Sequence, residues 1–147
     1  MASKLTLTNE FNTDSKLLYE QFLDLRKYGK HHPVMTDVKI VSDNTPEYIE
    51  YEIDEVVKLF GFIKMYPNYK AKVFEIEKEK HLQYTSQVKP NMFLTIDIYF
   101  SENSGKTKVE ESISVTGNKI ITAIFLGILK KAHVKLFQNL KTNLQKA

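Results

Sequence analysis

From Gly117-Asn118 onward the chain repeats its apolar residues at helical spacing for about 28 residues, its longest amphipathic stretch. At about 100° per residue, Ile121, Phe125, Ile128, Leu129, Ala132, Leu136 and Leu140 fall on one arc. The segment carries six lysines, Lys119, Lys130, Lys131, Lys135, Lys141 and Lys146, and all lie off that arc. So long a stripe must be covered by a large apolar surface, and a sheet face is the natural partner.

The residues before it supply such a sheet. Leu5, Leu7 and Phe11 share one alternation phase, with Asn9 as a polar intruder, and predict a strand over 3–12. Asn12-Thr13-Asp14-Ser15 offers helix N-caps. Leu17, Leu18, Phe22 and Leu25 follow at helical spacing and predict a helix ending near Gly29. Pro33 then holds His32 out of the helical region.

Beyond Pro33 the chain alternates almost throughout. Val38 and Ile40 predict a short strand, and Ile49, Tyr51, Ile53, Glu55, Val57 and Leu59 a long one. Phe60-Gly61-Phe62 reads as a tight hairpin turn. Ile63, Met65, Tyr69, Ala71 and Val73 carry the next strand, whose phase shifts to Phe74 and Ile76 as at a bulge. Leu82, Tyr84 and Val88 mark another strand, and Leu94, Ile96, Ile98 and Phe100 the next. After a turn at Glu102-Asn103-Ser104-Gly105, Val109, Glu111, Ile113 and Val115 close the series. Connections this short require antiparallel pairing.

The expected fold is α+β. A curved antiparallel seven-strand sheet surrounds a long C-terminal helix (118–144), and a short helical segment follows the first strand. Phe125, Leu129, Ala132 and Leu136 should be buried beneath the helix. Sheet and helix cannot close perfectly, so a cavity is expected between them. The chain, 1–147, is expected to be a single domain.

This pattern resembles the START-like, or Bet v 1-like (SRPBCC), helix-grip superfamily, which includes the polyketide cyclase/dehydrase and lipid-transport group. The resemblance spans essentially the whole chain. Its most characteristic stretch runs from Leu17 to Tyr28 (LLYEQFLDLRKY), followed by His31-His32-Pro33. It implies a helix ending at Asp24, a short aromatic-bearing second helix and a proline opening the next strand. Tyr19 and His31 stand where many relatives have Trp. The motif is a fold signature and names no reaction.

Composition removes several classes of function. With no cysteine there is no disulfide, thiol nucleophile or thiolate metal site. The longest apolar run, Ile120 to Leu129, is half the length of a membrane span and is interrupted by Thr122 and Gly127. No secretory signal pattern or Asn-x-Ser/Thr site is present, so a cytoplasmic protein is expected. The net charge of +3 hides an asymmetry. The segment from Gly117 has no Asp or Glu, while the rest carries fifteen basic against eighteen acidic residues. The lysines read as a solvated helix face with at most weak, salt-sensitive contact to anionic membrane. No nucleic-acid-binding pattern occurs.

Ser104-Gly105-Lys106-Thr107 resembles the end of a phosphate loop, but Phe100 stands where that loop needs glycine, so it reads as a hairpin turn. His31 and His32 are adjacent and cannot chelate as an i, i+4 pair, and His81 and His133 are isolated. They read as surface or loop histidines, except that His133 flanks the apolar arc, a place for a half-buried packing residue or one that looks into the cavity mouth; no metal site and no cofactor is expected. Nothing resembles a Gly-x-Ser-x-Gly elbow.

Asn9, Glu55 and Glu111 interrupt apolar strand faces. A buried carboxylate without a partner costs several kcal/mol, so each must be paired, protonated or facing a wet cavity. If the first and last strands pair around their centres, Asn9 lies opposite Glu111. Tyr51, Tyr69 and Tyr84 share the inward phase on successive strands and could line a pocket. The expected pocket therefore contains Tyr51, Glu55, Tyr69, Tyr84, Leu94, Ile96 and Glu111 from the strands, and Phe125, Ile128 and Ala132 from the helix.

Three functions fit these residues. The first is binding, with possible transport or sequestration, of a small hydrophobic or amphipathic partner molecule. The second is a cyclase- or dehydratase-like enzyme using Glu55 and Glu111 as catalytic candidates, with a tyrosine, on a polyketide-like or aromatic substrate. The third is a non-catalytic interaction scaffold. A cavity carboxylate–tyrosine cluster favours the enzyme, a purely apolar cavity the carrier, and a filled cavity the scaffold. The residues leave the oligomeric state open.

Overall fold

The computed structural model describes residues 2–59, 61–89 and 91–144. Strand β1 (Ala2–Phe11) leads into helices α1 (Ser15–Leu23) and α2 (Leu25–His31). Strands β2 (Met35–Ser42), β3 (Tyr48–Glu55), β4 (Val57–Leu59), β5 (Ile63–Met65) and β6 (Asn68–Glu77) follow. Then come β7 (His81–Lys89), β8 (Met92–Asn103), β9 (Lys106–Thr116) and the long helix α3 (Lys119–Leu144). Seven strands form one antiparallel sheet in the order β1-β9-β8-β7-β6-β3-β2, and β4 and β5 pair as a separate ribbon. The fold is the expected α+β helix grip.

Period-two alternation builds the sheet. Along β8, Met92, Leu94, Ile96, Ile98 and Phe100 are buried while the residues between them are more open. Thr107, Val109, Glu111, Ile113 and Val115 form the matching stripe on β9. Ser104 and Gly105, at φ 53° and 79°, make the β8–β9 hairpin turn, with two positive φ values as tight hairpins require. Thr107, last in the apparent phosphate loop, donates to the Thr13 carbonyl at 2.8 Å. The apolar phase of β6 does not pass to Phe74 and Ile76: the register holds through Glu75, breaks only between Glu75 and Glu77, and leaves Ile76 exposed. Gly117 turns the chain from β9 into α3 at φ 152°, where a side-chain carbon would stand 3.0 Å from the Asn91 carbonyl.

Three further expectations need correction. The helix predicted to run to Gly29 breaks at Asp24, whose extended backbone (φ −106°, ψ 110°) ends α1 and caps α2. Its carboxylate accepts from the Arg26 amide and guanidinium, a bond set that offsets the interrupted helix. The break falls where the family resemblance implied it. The long strand through Leu59 ends at Glu55: the Val56 amide still bonds to the Val34 carbonyl, but from Val57 the chain pairs with β5 instead of β2 and β6. The strand through Met65 and Val73 likewise splits at Pro67, which has no amide hydrogen for a ladder. Phe60, in the expected turn between them, lies outside the described residues; Gly61 has φ 80°.

The third correction concerns α3. Ala132, Leu136, Phe137 and Leu140 are buried against the core, but Phe125 and Leu129 are only half-buried. Ile121, on the predicted arc, is 47% exposed. The C-terminal half of α3 packs on aromatic side chains: Phe137 lies 5.9 Å from Phe11 and 6.1 Å from Phe22, ring centre to ring centre. The N-terminal half spans open space. Lys119, Lys130, Lys131 and Lys135 face solvent, and Lys141 covers the Phe11 ring at 5.6 Å; Lys146 lies outside the described residues.

Candidate functional site

The open space is a cavity of about 340 Å³ between α3, α2 and the inner sheet face. Exposed Tyr66, Ile121 and Ile124 mark its mouth, and buried Tyr28, His32 and His133 its inner end. Most of the wall is apolar. Leu94, Ile96 and Ala71 contribute from the sheet, and Phe125, Ile128 and Ala132 from the helix.

Eight of the ten expected pocket residues lie on this wall: Glu55, Tyr69, Tyr84, Leu94, Ile96, Phe125, Ile128 and Ala132. Tyr51 and Glu111 do not. Tyr51 is buried toward the α1–α2 junction, where burial and then the Asp24 carboxylate push its hydroxyl up to about 12. Glu111 stands behind the wall, fully buried, with His133 between it and the cavity. Asn9 does not face it. The β1–β9 register sets Leu7 opposite Glu111 and Asn9 opposite Val109.

Two hydrogen-bonded pairs form the polar end. Tyr69 donates its hydroxyl to Glu55. Burial raises the Glu55 carboxyl above its ordinary range, although the Tyr69 bond and the nearby His133 pull it back. Burial and the adjacent carboxylate push the Tyr69 hydroxyl far up. In the second pair, His133 Nδ1 bonds to Glu111 Oε1 at 2.8 Å. Burial lowers the affinity of His133 for a proton, but the charge and hydrogen bond of Glu111, with Glu55 beyond, outweigh it and raise the imidazole above 6.5.

The histidines were misread as mostly surface or loop groups. His32 is buried on the cavity wall, 5.7 Å from His133 ring to ring, and burial and then His133 hold it down to about 3. His31 ties α2 to α3: its carbonyl accepts from Asn139 at 2.8 Å, and its Nδ1 lies 2.9 Å from Asn143. His81 bonds to Asp97 at 2.8 Å. The place of His133 beside the apolar arc was legible; the missed signal was that the inward Glu111 on the last strand needed a partner that an imidazole there could supply.

Tyr84 lines the cavity but donates to the Phe22 carbonyl, so its hydroxyl fastens α1 to the sheet. Among the described residues, no group of three or more His, Asp or Glu side chains is placed to hold a metal ion. None of the described helices is long and apolar enough to cross a membrane.

An inward-curving seven-strand sheet, a long C-terminal helix and a cavity between them define the START-like, Bet v 1-like helix-grip fold. Among solved structures the chain is similar to the ZhuI aromatase/cyclase from Streptomyces sp. R1128, with a TM-score of 0.81 and 9% identity over 99% of this chain and 95% of that one. It is similar over the full length of both chains to Ara h 8.0201, with a TM-score of 0.74 and 11% identity. A START superfamily protein from Mycobacterium smegmatis matches over 97% of each chain, with a TM-score of 0.73 and 11% identity. No protein-family model matches the sequence, and no curated protein matches it. Identities this low establish the fold and leave the ligand to the chemistry of the site.

Proposed function

We propose that the protein binds a small hydrophobic or amphipathic molecule in the cavity between sheet and α3. Apolar walls with a few convergent polar groups are the usual make-up of small-molecule sites. The observation that carries the reading is the segregation within one cavity. Leu94, Ile96, Phe125, Ile128 and Ala132 offer apolar contact, while Tyr69 bonds to Glu55 and Glu55 lies within electrostatic reach of His133. The apolar wall supplies affinity and the polar end orientation. The half-exposed N-terminal turns of α3 then serve the ligand, which covers surface that the sheet does not.

A second reading has its own support. The Glu55–Tyr69 bond and the Glu111–His133 pair place proton-transfer groups at the end of a largely apolar pocket, which suits a cyclase- or dehydratase-like enzyme. One experiment addresses both. Native mass spectrometry of protein purified from its own host should show a co-purifying small molecule. A thermal-shift screen of lipids, quinones and aromatic polyketides should raise Tm through mass action. A bound polyketide-like compound that loses water with time favours the enzyme, and one recovered unchanged favours the carrier. No adduct and no shift across the screen would sink the ligand-binding reading.

A further inference from the structure

We infer that the inner end of the cavity is a subsite for a neutral carbonyl oxygen, on which the imidazoles of His32 and His133 converge. The inference rests on the ligand-binding reading and names the ligand class: an apolar body led by a ketone, aldehyde or quinone oxygen.

The tautomers follow from the outer bonds. His32 Nδ1 accepts from the Val34 amide at 3.3 Å, so the neutral ring carries its proton on Nε2. His133 Nδ1 is held by Glu111, which leaves Nε2 as its free nitrogen and, in the protonated ring, a second donor. Both residues line the cavity. Their ring centres are 5.7 Å apart with planes at 89°, a span that two hydrogen bonds of about 2.9 Å to one oxygen can bridge. Among the described residues, the buried side-chain polar atoms without a partner are Tyr28 Oη and Glu111 Oε2. Tyr28 packs 5.8 Å from His32 and 6.4 Å from His133, so this corner holds more polar groups than the protein itself satisfies.

The surrounding charge selects among oxygens. A ligand carboxylate would be brought toward Glu55 and Glu111 and repelled. A ligand ammonium would meet the Nε2–H of His32, a donor it cannot accept from. A neutral carbonyl accepts from both and adds no charge.

The test compares near-isosteric probes by calorimetry at neutral pH. They are 2-acetylnaphthalene, 2-ethylnaphthalene and 1-(2-naphthyl)ethylamine. The ketone should bind the wild-type protein about tenfold more tightly than the ethyl compound. His32→Phe should erase that preference and still bind the ethyl compound. The bound ketone's C=O stretch should fall below its frequency in cyclohexane and move back up in the variant. If the variant does not fold, the wild-type affinity ratio and infrared shift decide alone. Equal affinity for ketone and ethyl compound, an unshifted stretch, or tightest binding of the amine overturns the carbonyl subsite while leaving the cavity a ligand site. Failure of all three probes to bind removes the subsite together with the reading beneath it.

Discussion

Glu111 Oε1 and His133 Nδ1 meet at 2.8 Å with both side chains buried, joining the middle of β9 to α3 through the core. Burying two charges is costly, and their attraction recovers that cost only while both are present. His133→Leu strands the carboxylate and should lower stability by about 3–5 kcal/mol. Replacing both residues with leucine should recover most of that loss. Chemical denaturation of the two single variants and the double variant measures it, and a double variant no more stable than His133→Leu would refute the account.

The two cavity histidines should give opposite pH signatures. The proton affinity of His32 is depressed in the fold, so its neutral form contributes stability that is present above pH 6.5 and lost as pH falls toward about 3. His133 is raised, so its contribution is complete below pH 6.5 and is lost as pH rises through its folded value. Glu55, also raised, adds stability on acidification, so the difference between variant and wild type is the quantity to measure. Relative to wild type, His32→Phe should gain about 1.4 kcal/mol for each pH unit below 6.5. Urea titrations between pH 3.5 and 7 would show it, and a pH-independent difference would contradict the assignment.

Along α3, burial grades the cost of truncation. Leu136 has no exposed surface, and Leu136→Ala should cost about 2–5 kcal/mol. Phe125 is half-buried beside the cavity, so Phe125→Ala should fall below the roughly 3–5 kcal/mol of a fully buried phenylalanine. Equal losses in thermal denaturation would mean that the N-terminal half of the helix packs as tightly as the rest.

Ala132 is buried on the cavity wall in the middle of α3. Ala132→Phe should fill the cavity, keep the circular dichroism spectrum and abolish the ligand-induced rise in Tm expected of the wild type. An undiminished rise would place the ligand elsewhere.

Much of this architecture was legible from spacing. Leu94, Ile96 and Ile98 alternate and lie inward; Asp14 sits where a cap belongs and accepts from the Leu17 amide at 2.8 Å. The break at Asp24 was legible only through the family resemblance, and the end of β3 at Glu55 was not legible at all, because it is set by a change of pairing partner from β2 and β6 to β5. Of the site, the sequence marked Glu55 and Tyr69, which do meet, and set His133 beside the apolar arc, but it passed over His32 and the bond from His133 to Glu111, which other elements make.

By itself the sequence determined parity along the strands, and therefore that Glu55 and Glu111 point inward. Tertiary structure alone decided register and partner. Side chains alternate with a period of two, so sliding β1 by two residues exchanges Asn9 for Leu7 opposite Glu111 without turning any side chain to the other face. Alternation cannot distinguish those registers. The choice of His133 as the partner of Glu111 appears only when α3 is laid across the sheet, since a hydrogen bond is satisfied by distance and direction in space.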